Sequence, residues 1–124
     1  MRTYLWIALG GALGSLARAW GSALALRLAG AGFPWGTIAI NVTGSFVIGA
    51  FAAFSMRSGA HPDLRAFVMV GLCGGFTTFS AFSLQTLELL QDGRMLSALA
   101  NVALSVLLCL GAAAAGHALA SGGP

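Results

Sequence analysis

Residues 28–56 carry no charged side chain, a stretch longer than the roughly 20 apolar residues that span a bilayer as a helix. Charged residues elsewhere mark where similar runs stop. They bound three more: 3–26, broken only by Arg18; 66–87, with none; and 95–124, where His117 is the one basic or acidic side chain. Charged residues are 7% of the chain and hydrophobic ones 58%, against about 25% charged in a soluble domain, whose surface must stay wet. The sequence therefore predicts an all-α membrane protein. It forms one transmembrane domain over 1–124, with four spans at roughly 3–27, 35–56, 64–90 and 95–119.

Turn residues separate the runs. Gly30, Gly32 and Pro34 precede Trp35, an aromatic suited to the membrane interface. The stretch 57–65 holds Arg57, His61, Pro62, Asp63 and Arg65, and Asp92-Gly93-Arg94 divides the last two runs. Arg2 followed by an apolar run imitates a secretion signal, but Arg18 falls beside the would-be cleavage site and three more runs follow, so the run is read as a first span. The six arginines are scattered and form no stripe for nucleic acid. Four spans put Arg2, Arg57 and Arg65 on one side and Arg27 and Arg94 on the other. That is almost no positive-inside bias, and it fits either a weakly biased single orientation or insertion in both orientations with antiparallel pairing.

Polar residues inside the runs must be satisfied where water is absent. Asn41, Gly44 and Ser45 share one face of the second helix, and Ser97, Asn101, Ser105 and Cys109 recur every four residues along the fourth. Such groups either bond their own helix or form a polar track. Being neutral, they suit a dehydrated anion better than a proton relay, which needs carboxylates. Small residues at Gly10 and Gly14, Ser45 and Gly49, and Gly71 and Gly75 give faces for close helix approach, extending to a partner subunit.

The third run reads Gly71-Leu-Cys73-Gly74-Gly75-Phe76-Thr77-Thr78-Phe79-Ser80-Ala81-Phe82-Ser83. Paired glycine followed by paired β-branched threonine is a poor helix, and a break around Gly74 to Thr77 is expected. Its freed carbonyls either bind a cation or are stitched by the threonine hydroxyls. Phe79 and Phe82, three apart, share a helix face. They either pack as core or present their positive ring edges to an anion. Arg18, near the far end of the first run, either snorkels or draws anions towards a vestibule.

Taken together, Gly10-Gly11-Ala-Leu-Gly14-Ser-Leu-Ala-Arg18, Gly36-Thr37-Ile-Ala-Ile-Asn41-Val-Thr-Gly44 and Gly74-Gly75-Phe-Thr77-Thr78-Phe79-Ser80-Ala-Phe82-Ser83 resemble the Fluc (CrcB) fluoride channels over the whole chain. The resemblance implies a passive fluoride channel in the inner membrane of a prokaryote, built as an antiparallel dual-topology homodimer. It implies a fluoride pore at Phe79, Phe82, Asn41, Ser80, Thr78, Asn101 and Ser105, and a vestibule arginine at Arg18. It also implies a structural Na+ held between subunits by the backbone carbonyls of Gly74 and Thr77. Ala81 stands where the family usually has Thr, and Gln85 where Glu is common.

The competing reading is a small multidrug-resistance-type, proton-coupled transporter, which shares the span number and length. That chemistry needs a membrane-buried carboxylate. No Asp or Glu precedes Asp63, and Glu88 near a helix end is the one candidate. No Ser/His/Asp or Cys/His constellation suggests an enzyme, and Cys73 and Cys109 form neither a disulfide framework nor a zinc pattern.

Overall fold

The structure, a computed structural model, describes residues 1–122, and every regular element among them is helical. Helix α1 spans Arg2–Ala29 and α2 spans Trp35–Ser58. The third run is composite. A four-residue α3 (Pro62–Arg65) continues into a π-helical segment, Ala66–Cys73, then α4 (Gly74–Phe76), an extended pair at Thr77 and Thr78, and α5 (Phe79–Gln91). Helix α6 covers Met95–Ala120. Three of these stretches are long and apolar enough to cross a membrane: Trp35–Ser58, Pro62–Gln91 and Met95–Ala120.

Local chemistry explains the ends. Gly59 closes α2 in the left-handed conformation (φ 65°, ψ 40°), which glycine adopts without steric cost, and its N–H returns to the Ser55 carbonyl. Pro62 opens α3, where its missing N–H costs nothing, and His61 Nδ1 accepts from the Asp63 N–H at 3.0 Å. Asp63 then ties the start of α1 to this turn, accepting from Thr3 Oγ1 at 2.8 Å and pairing with Arg2 Nε at 2.8 Å. At the same end of α2, Arg57 Nη1 donates to the Ala120 carbonyl of α6 at 2.6 Å.

Packing follows the small residues. Helix α1 lies chiefly against the π segment and α4, and α2 against α6. A Cβ at Gly10 or Gly14 would strike the backbone of Phe67, Leu72 or Phe76, and one at Gly71 or Gly75 would strike Ile7 or Gly11. The Gly10/Gly14 and Gly71/Gly75 faces thus meet each other within one chain rather than waiting for a partner. Between α2 and α6 the same role falls to Gly49 and Gly116, whose added Cβ atoms would meet the carbonyls of Ala113 and Phe46. Backbone cannot yield as a side-chain tip can. Gly49→Ala or Gly116→Ala should therefore cost roughly 1–3 kcal/mol by forcing the helices apart. Thermal unfolding in detergent measures this, with Gly111→Ala as the reference, because a Cβ there meets nothing within 4 Å.

The expected break is present, at the C-terminal end of the stretch from Gly74 to Thr77. Gly74 is helical (φ −63°, ψ −38°), and the chain becomes extended only at Thr77 (φ −84°, ψ 158°) and Thr78 (φ −149°, ψ 114°). Two glycines in a row are tolerated in a helix when their missing side chains admit a neighbour, and Gly75 admits Gly11. Bulk at Gly74 would not block the turn, since only the Met69 carbonyl, 4.0 Å away, faces its Cβ position.

Candidate functional site

The break is built by threonine chemistry and held from outside. Thr77 Oγ1 donates back to the Cys73 carbonyl at 2.9 Å, completing the last turn of the first half. Thr78 caps the second half: its Oγ1 accepts from the Ala81 N–H at 3.0 Å. The Asn41 side chain then reaches across from α2. Its Oδ1 accepts from the Thr78 N–H at 2.8 Å, and its Nδ2 donates to the Thr78 carbonyl at 3.1 Å. Exchanging the amide's two ends would set donor against donor and acceptor against acceptor, so this orientation is fixed by its partners.

These bonds redirect the donors that a continuous helix would use. The Thr78 N–H would otherwise serve the Gly74 carbonyl and the Ala81 N–H the Thr77 carbonyl; both are committed elsewhere. Gly74 and Thr77 therefore keep carbonyl oxygens without their helical donors. Arg18 from α1 supplies a donor to the carbonyl between them, with Nε 3.1 Å from the Gly75 oxygen.

A groove of about 400 Å³ opens at the break. Asn41, Gly74, Thr77, Thr78, Phe79, Phe82 and Ser105 all border it, so residues from three of the four sequence runs converge. The rings of Phe79 and Phe82 stand 5.4 Å apart, tilted by 46°. Phe79 is 79% exposed, so its ring is not packed into the core of the single chain. Among the described residues no carboxylate borders the groove; Glu88 and Asp92 line a separate polar cavity at the α1–α2 connection.

Three of the expected residues lie elsewhere. Ser80 is exposed and joined to the Thr78 hydroxyl at 3.2 Å. Arg18 is at the break but outside the groove lining. Asn101 is 1% exposed and ties α5 to α6: its Nδ2 donates to Thr86 Oγ1 at 2.9 Å and its Oδ1 accepts from Ser105 at 3.3 Å. Thr86, which donates in turn to the Phe82 carbonyl at 2.7 Å, was not singled out from the sequence. Its signal was there, as a hydroxyl one helical turn after Phe82 on the same face. The chain Ser105–Asn101–Thr86–Phe82 thus anchors one ring's backbone to α6.

The family model described as CrcB-like protein, Camphor Resistance (CrcB), matches residues 5–117. The chain belongs to the CrcB family. Curated relatives of this CrcB chain match at nearly full length. One from Rhodospirillum rubrum is 55% identical over 118 residues, covering 93% of this chain and 92% of its own. One from Methylocella silvestris is 52% identical over 120 residues, covering 94% and 92%. One from Opitutus terrae is 52% identical over 125 residues, covering 98% and 95%. Each of the three is named a fluoride-specific ion channel, FluC.

Proposed function

We propose that this CrcB chain is a fluoride-selective channel that lets fluoride leave the cytoplasm passively, and that it is not an enzyme. The observation that carries the reading is the Phe79–Phe82 pair set beside Asn41 in a groove bordered by no carboxylate among the described residues. An anion that has shed its water needs donors, not a countercharge that would trap it. An amide nitrogen carries two hydrogens; Asn41 gives one to Thr78 and keeps a second on a residue that borders the groove. The ring edges add weak positive potential. Neutral HF crosses a bilayer and ionises inside, and an inside-negative potential then drives the anion out with about 2.3 kcal/mol per charge per 100 mV.

The working form proposed is an antiparallel, dual-topology homodimer in a prokaryotic inner membrane, each copy spanning four times with α1 as the additional span. Helix α1 is 28 residues long, about 42 Å at 1.5 Å per residue. The open groove and the exposed Phe79 favour a second copy as the wall this chain lacks. The paired copies would share one structural Na+. The carbonyls of Gly74 and Thr77, left without helical donors, are the hard oxygen ligands such an ion prefers. The multidrug-transporter reading finds no support in the site, because Glu88 is exposed and outside the groove.

Fluoride efflux from proteoliposomes in sodium salts tests the proposal, with chloride as the control anion. Rapid fluoride release without chloride release is expected, together with a cross-linkable dimer in detergent. Equal release of both anions, or none, would refute it.

A further inference from the structure

We infer that Arg18 is a positioning residue for the broken span: its Nε–H replaces the helical donor that the break takes from the Gly75 carbonyl. The inference rests on the channel reading only for its flux readout. In an uninterrupted helix the Gly75 oxygen would accept from the Phe79 N–H. The extended Thr77–Thr78 pair separates these two residues, and a carbonyl stranded beside apolar helices costs free energy. Arg18 comes from α1, which is pressed against this segment by Gly10, Gly11 and Gly14, and its Nε lies 3.1 Å from that oxygen. A charge-assisted bond is about twice as strong as a neutral one. The break is therefore clamped from two sides, by α1 at Gly75 and by α2 at Thr78. The stretch between the clamps contains Thr77 and leads directly into Phe79, so their register fixes where the first ring stands.

The alternative role for this side chain is to attract anions by charge alone, through the outer guanidinium nitrogens. Three substitutions separate the two. Arg18→Gln removes the charge but keeps an N–H donor at the same number of bonds from Cα as the arginine Nε. Arg18→Lys keeps the charge on a strongly hydrated ammonium that turns towards water. Arg18→Met keeps neither. A positioning role predicts that Arg18→Gln conducts about three- to tenfold faster than Arg18→Lys and Arg18→Met, the ratio expected from one neutral hydrogen bond. The order should hold from low to high ionic strength.

A second readout is independent of fluoride. Hydrogen exchange at the Thr77 and Thr78 amides, which donate to the Cys73 carbonyl and Asn41, should accelerate in Arg18→Lys and Arg18→Met more than in Arg18→Gln. Arg18→Lys outperforming Arg18→Gln, with a difference that fades as salt screens the charge, would overturn the inference. So would equal loss in all three variants, in flux or in folding. A wild-type protein that passes no fluoride would sink the channel reading, and the exchange order would still decide the role of Arg18.

Discussion

Asn41→Ala should abolish fluoride flux and lower stability by roughly 2–4 kcal/mol, the sum for two part-buried backbone groups left unpaired at about 1–2 kcal/mol each, the lower part of the range for such groups. The reason is its double bond to one peptide unit: a single carboxamide satisfies both the N–H and the carbonyl of Thr78. Without it the Thr78 N–H regains the option of the Gly74 carbonyl. The cheapest repair is partial closure of the break into helix, which would swing Phe79 and Phe82 out of place. Asn41→Asp separates the two roles of the side chain. A carboxylate still accepts from the Thr78 N–H but repels the Thr78 carbonyl and offers no donor to an anion. It should therefore recover part of the stability and none of the flux. Thermal unfolding and liposome efflux on both variants check this, and full flux in Asn41→Ala would show that the clamp is dispensable.

Replacing either ring is the second large effect. Phe79→Ile or Phe82→Ile should reduce fluoride flux by at least about 100-fold, about 2.7 kcal/mol of barrier, while leaving a folded protein. Isoleucine fills similar apolar space but lacks the ring quadrupole, whose positive edge can face an anion without a formal charge. Phe79 is mostly exposed within the chain, so its loss removes little packing. Phe82 is half-buried, but its backbone is anchored through Thr86 and Asn101 independently of its ring. Efflux kinetics on the purified variants, with circular dichroism to verify the fold, measure the effect. Wild-type flux in both would mean that the rings do no more than pack.

Much of this was legible in the residue order because the relevant forces act locally or along one helix. Runs without charge give helices wherever apolar length exceeds a bilayer's thickness. Gly-Gly followed by Thr-Thr announces a weak point, since β-branched threonines lose rotamer freedom in a helix and their hydroxyls compete for backbone groups. The spacing of Phe79 and Phe82 puts two rings on one helix face, and they are neighbours, 5.4 Å apart.

Where the break falls was decided by tertiary structure. The sequence marks the stretch from Gly74 to Thr77, but Gly74 and Gly75 stay helical, with Gly11 filling the space beside Gly75; the chain opens only at Thr77, where Asn41 offers Thr78 a better partner than its own helix. Asn41 and Thr78 are 37 positions apart, and no local pattern says that one will find the other. The same holds for Arg18, whose charge suggested water or an anion and whose Nε found the Gly75 carbonyl 57 positions away. A sequence states each residue's capacity to donate, accept or pack. Which donor meets which acceptor depends on helices brought into register by glycine contacts, and those exist only once the chain is folded.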